Sequence, residues 1–110
     1  MNLYNLLTGE ISQQELLNYY NANIIYEELR PGINGCVDYY KGIYNIYIDK
    51  NLSYYKKRKT LLHELAHIEL NQLGQSDKLL AFKRDKYEDE ADRYLKYLLE
   101  NIQKGDRNGI

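Results

Sequence analysis

Both histidines of the chain fall in one pentapeptide, His63-Glu64-Leu65-Ala66-His67. Imidazoles four residues apart project from the same face of a helix, so this turn could hold one Zn²⁺ between them. The intervening glutamate would sit beside the metal, where it can deprotonate a bound water. The chemistry on offer is metal-assisted hydrolysis, and a helical turn spelled this way suits attack on a peptide bond. A pentapeptide of this form also arises by chance on helix surfaces. Three features distinguish this one: it lies within a helical period, apolar residues flank it, and an acidic cluster follows on a second predicted helix.

A site with two histidines and a glutamate needs that third carboxylate. The cluster is Glu88-Asp89-Glu90-Ala91-Asp92. At about 100° per residue, the apolar stripe of this helix is Ala91, Leu95, Leu98, Leu99 and Ile102. Glu88 precedes Ala91 by one turn and Leu95 by two, on the inward stripe, while Glu90 points to nearly the opposite side. Glu88 is therefore the expected third metal ligand. Asp92, one turn after Glu88, lies at the edge of the same face, placed to accept a hydrogen bond from the free ring nitrogen of a ligand histidine and so fix its tautomer. The competing account makes Glu88 one more acid at a helix start, where the dipole favours negative charge. That account suits Asp85, Asp89 and Glu90 better than Glu88, because a carboxylate facing a core is costly unless paired, hydrogen-bonded or metal-bound.

The elements that must position these residues are legible in outline. Ser12-Gln13-Gln14-Glu15 is a capping box, and Leu16, Leu17, Tyr19 and Tyr20 continue a helix to about Tyr20. Residues 23–29 carry the β-prone Ile24-Ile25-Tyr26, closed by the turn chemistry of Arg30-Pro31-Gly32-Ile33-Asn34-Gly35. Residues 36–40, Lys41-Gly42 and residues 43–49 read as a hairpin, with Tyr44, Ile46 and Ile48 on one face and Ile43, Asn45, Tyr47 and Asp49 on the other. The strand at 43–49, just ahead of the histidine helix, could pair with an extended substrate. Ser53 caps a helix predicted to reach Leu73 before Gly74 stops it. Leu62, Ala66, Leu70 and Leu73 form one stripe, and Leu61, Leu65 and Ile68 another, the signature of a central, largely buried helix. A loop at 74–77 leads to the Glu88 helix, predicted over 86–103 and ended near Gly105, with residues 106–110 fraying. The expected architecture is α+β in one domain spanning 1–110: an N-terminal helix, a small antiparallel sheet, the histidine helix and a C-terminal glutamate-bearing helix.

At 13.1 kDa, with net charge −1 and a pI near 6.1, the chain has room for one modest core and no broad basic field for nucleic acid or an anionic membrane. No run approaches the roughly 18 apolar residues of a membrane span. The single cysteine and an N-terminus without a basic region or long apolar stretch lead us to expect a cytoplasmic protein. Cys36 is expected to be a small buried hydrophobe. Lys56-Lys57-Arg58-Lys59 would fan around a helix rather than form a stripe, which suits a solvated helix start better than a DNA contact. The 13 tyrosines, against one phenylalanine and no tryptophan, most simply reflect base composition, although some could line a peptide groove.

From about Leu29 to Leu99 the chain resembles the ImmA/IrrE-type metallopeptidases. The resemblance rests on the Pro/Gly turn Leu29-Arg30-Pro31-Gly32-Ile33-Asn34-Gly35, the strand ending Ile46-Tyr47-Ile48-Asp49, the helix segment Leu62-His63-Glu64-Leu65-Ala66-His67 and the pattern Glu88-Asp89-Glu90-Ala91-Asp92. It implies a minimal gluzincin-like fold, Zn²⁺ on His63, His67 and Glu88, and Glu64 as the catalytic base. It also implies a protein substrate, since such peptidases often cleave a helix-turn-helix repressor encoded beside them on a phage or mobile element. Tyr94-Leu95 stands where the family usually has Phe-Ala, and no Leu-Met-Pro-like segment follows the last helix. The rival from another class is a non-catalytic, zinc-stabilised protein-interaction module. Glu64 argues against it, because a purely structural site has no need of a carboxylate there.

Overall fold

Asn2 and Ser12 each open a helix with a reciprocal capping box, in which the side chain of the cap and that of the third helical residue satisfy each other's backbone N–H groups. The computed structural model describes the backbone over residues 1–71 and 81–108, and side chains over 1–71 and 89–102. The first helix, α1 (Leu3–Leu7), was not expected from sequence: at five residues it is too short to show a period, and Asn is a less familiar capping-box partner than Glu or Gln. The second, α2 (Gln13–Tyr20), has the expected bounds and ends on Asn21 in the left-handed region at φ 57°.

Three strands follow, β1 (Ala22–Glu27), β2 (Gly35–Tyr40) and β3 (Ile43–Asp49), in the spatial order β1-β3-β2. The β2–β3 hairpin is antiparallel as expected, pairing Val37 with Ile46 across a turn in which Lys41 and Gly42 both have positive φ. The first strand differs from expectation. It runs parallel to β3, with Ile24 opposite Ile46, so the sheet is mixed. The segment 28–34 is long enough to pass the end of β3 and place β2 on its far side, where a tight turn would have made β1 and β2 neighbours. Backbone bonds from Asp49 to Asn34 and from Lys50 to Glu27 close that end of the sheet.

The histidine helix, α3 (Tyr54–Glu69), is capped by Ser53 and is shorter than predicted. Its last turn closes through the N–H groups of Leu70 and Asn71, and Asn71 takes the left-handed conformation at φ 56° that stops a helix as glycine would. Leu73, Gly74 and the expected loop at 74–77 lie outside the described residues. The last helix, α4 (Ala81–Asn108), is longer than predicted and continues past Gly105.

Leu3, Leu16, Ile46, Ile48 and Leu65 are fully buried, joining α1, α2, β3 and α3 in one core to which Leu61, Ala66, Ile68, Ala91 and Leu98 also belong. On α4 the inward stripe is Ala91, Tyr94, Leu95 and Leu98, while Leu99, expected to face inward, is exposed. Tyr94 takes that side of the helix because its ring packs on the core while its hydroxyl finds a partner on α3. Among the described residues no helix is long and apolar enough to cross a membrane.

Candidate metal centre

The phase of α3 sets the site. Leu61, Leu65 and Ile68 are buried against the rest of the core, and the helical period then turns His63 and His67 to the neighbouring side, towards α4. Their rings meet edge to face with centroids 4.6 Å apart, and the two Nε2 atoms lie 3.1 Å from each other. The Nδ1 of His63 lies 3.0 Å from Oδ1 of Asp92. An ionised carboxylate only accepts, so His63 donates from Nδ1, and in the neutral ring Nε2 is then the lone-pair nitrogen. Two imidazole nitrogens this close repel unless a proton or a cation lies between them.

This donor set fits a metal ion. Nitrogens held about 2.0–2.1 Å from one tetrahedral zinc are roughly 3.3–3.4 Å apart, close to the separation seen. His67 is 5% exposed, and the His63 side chain 17%, whereas Asp92 is 71% exposed and reaches His63 from the surface of α4. The side chain of Glu88 lies outside the described residues, though its backbone is on α4, one turn before Asp92. Among the described residues no group of three or more His, Cys, Asp or Glu side chains gathers into a metal-holding cluster. Glu90 is half-buried.

Glu64 is 6% exposed and faces the start of β2. A methyl carbon placed on Gly35 would stand 3.6 Å from Oε1 of Glu64, 2.5 Å from Cγ2 of Thr60 and 2.9 Å from the carbonyl oxygen of Tyr47. Glycine is thus required at 35 by close approach of strand and helix. The signal was available, since a glycine opening a strand often marks such an approach, but the turn chemistry of 30–35 masked it.

Two expectations about the sheet need correction. The strand at 43–49 cannot take an added strand, because β1 and β2 occupy both its sides; among the described residues the outer strands are β1 and β2, and β2 is the one whose Gly35 approaches Glu64 of α3. Cys36 is exposed rather than buried, since strand alternation turns it away from α3 when Gly35 faces it. Partial desolvation, followed by the Glu64 and Asp38 carboxylates, pushes its thiol up, which keeps it protonated and a poor nucleophile. The basic run of α3 is partly engaged: Arg58 donates to Gln13 on α2, and the Lys57 ammonium lies 5.4 Å from the centre of the Tyr26 ring.

A family model for the IrrE N-terminal-like domain, Peptidase_M78, matches residues 17–99. The chain belongs to that family. No curated protein and no solved structure gave a match. As an IrrE-type domain the chain is of a metallopeptidase class, generally metal-dependent and acting on protein or peptide. The matched span contains His63, Glu64, His67, Glu88 and Asp92.

One polar group of this IrrE-type domain was not anticipated. Glu69 stands four residues after Leu65 on the inward side of α3, half-buried, and its carboxylate collects three donors from three other helices. The same inward-facing criterion that singles out Glu88 would have singled out Glu69. The predicted extension of α3 to Leu73 hid that it ends the helix.

Proposed function

We propose that this chain is a zinc-dependent endopeptidase, with His63, His67 and Glu88 as metal ligands, Asp92 orienting His63, and Glu64 as general base. The observation that carries the reading is the convergence of the His63 and His67 Nε2 atoms at 3.1 Å, with the far nitrogen of His63 held by Asp92. Bound there, Zn²⁺ supplies Lewis acidity towards water and the scissile carbonyl. Glu64, one residue from His63 and enclosed beside Gly35, takes the proton of the attacking water and returns it to the departing amine.

The substrate is a protein, and the resemblance noted above points to a helix-turn-helix repressor of a phage or mobile element, cleaved in the cytoplasm. The outer edge of β2, next to Glu64, is the edge along which an extended substrate segment would pair. The test is incubation of the zinc-loaded protein with a repressor from the same genetic neighbourhood, comparing wild type with Glu64→Gln. Cleavage by wild type, lost in the variant while zinc is retained, supports the reading. Equal activity in Glu64→Gln would falsify the role given to Glu64. A zinc-bound wild type that binds the repressor without cutting it would favour the interaction module.

A further inference from the structure

The contact between Asp92 and His63 is made by a largely exposed carboxylate, so local packing does little to keep it in place. Its persistence depends on where α4 lies against α3. A second cross-helix contact fixes that placement: the Tyr94 hydroxyl donates to Oε2 of Glu69. The two contacts are six residues apart on α3, about 9 Å along its axis, and two residues apart on α4. Ala91, Leu95 and Leu98 already pack α4 on the core, and two polar attachments separated along α3 further restrict its tilt. The Glu69 carboxylate is itself held at its other oxygen, Oε1, by the Leu3 N–H at 2.9 Å and the Tyr20 hydroxyl at 3.0 Å. Four helices therefore meet on one side chain, and a network with every member satisfied is stiffer than its separate bonds. Residues 1–16, which carry α1 and the first half of α2, lie outside the matched family span, whereas Tyr20 lies within it.

We infer that Glu69, with Tyr94 and Tyr20, is a positioning cluster that holds α4 at the placement in which Asp92 meets His63, and that it thereby sets the zinc affinity of the site. The inference rests on the proposed metal site. Tyr94 bonds to Glu69 and acts through the helix that carries Asp92.

The test compares wild type, Tyr94→Phe, Tyr20→Phe and the control Tyr19→Phe, at a residue 59% exposed. Each is checked for folding by far-UV circular dichroism, and its zinc affinity is measured by competition with a chromophoric chelator. Cobalt substitution adds a visible spectrum that reports ligand geometry. Tyr94→Phe is expected to weaken zinc binding about tenfold, at the lower end of what loss of an orienting partner produces, and to alter the cobalt spectrum. Tyr20→Phe, which leaves the Tyr94 contact in place, shifts both in the same direction by less, and Tyr19→Phe matches wild type. A Tyr94→Phe protein that melts earlier yet binds zinc as wild type does, with an unchanged cobalt spectrum, would overturn the inference and leave the cluster a source of stability alone. Should Tyr94→Phe fail to fold, wild-type affinity in Tyr20→Phe overturns it equally. A wild type that binds no zinc removes the metal site itself, an outcome distinct from failure of a variant.

Discussion

Glu64 and His63 are neighbours in sequence with opposite demands. In the proposed mechanism the histidine presents a lone pair, with its other nitrogen held by Asp92, and the glutamate accepts and releases a proton in an enclosed place beside Gly35. Glu64→Gln preserves shape and should leave zinc binding intact while lowering hydrolysis by about 10²–10⁴-fold, the usual contribution of a general base; steady-state cleavage with metal content measured on the same sample checks this. The spacing of His63, Glu64 and His67 was legible because one helical turn contains all of it. The meeting of Asp92 with His63 could be anticipated from helical phase alone, since both side chains lie at the edge of an inward face. Glu69 was not read, because its role appears only when Leu3, Tyr20 and Tyr94, far apart in the chain, arrive at one carboxylate.

At the scale of elements, the approach of β2 to α3 decides how Glu64 is enclosed. Gly35→Ala would bring a methyl into the Tyr47 carbonyl and the Thr60 methyl group, so the start of β2 must move away from the helix. The expected result is a destabilised protein, by about 1–3 kcal/mol as for other overpacked sites, with cleavage reduced further than the loss of folded protein explains. Urea unfolding and activity at matched folded fraction measure the two effects separately. The hairpin was legible from alternation and from Lys41-Gly42, and α2 from its capping box. The parallel partner of β1 was not, because pairing across 28–34 depends on which side of β3 the loop delivers β2. The end of α3 was misplaced for a local reason: Asn71 supplied the left-handed stop ahead of the more conspicuous Gly74.

Beside the apolar core, four helices meet on Glu69, and that junction has a pH signature. Burial and then the Glu69 carboxylate raise the Tyr20 hydroxyl well above its ordinary value of 10.0, and burial followed by the hydrogen bond to Glu69 does the same for Tyr94. A raised folded-state value means the unfolded chain releases these protons first. The stability they contribute is therefore fully present below about pH 10 and is lost as pH rises above it. Urea midpoints measured from pH 8 to 11 should hold and then fall in wild type, and fall less steeply in the Tyr20→Phe/Tyr94→Phe double variant. An α+β domain with one central helix was within reach of the sequence because the strongest periods lie in α3 and the hairpin. The assembly of α1, α2 and α4 around Glu69 was not, since it is tertiary and carries no period.

The most direct test of the proposed zinc site is metal content by mass spectrometry on purified wild type, His63→Ala, Glu88→Ala and Glu90→Ala. The expected result is about one zinc per chain in wild type and Glu90→Ala, with zinc lost from His63→Ala and Glu88→Ala. Zinc-free wild type prepared without chelator, or full zinc retention in His63→Ala, would contradict it.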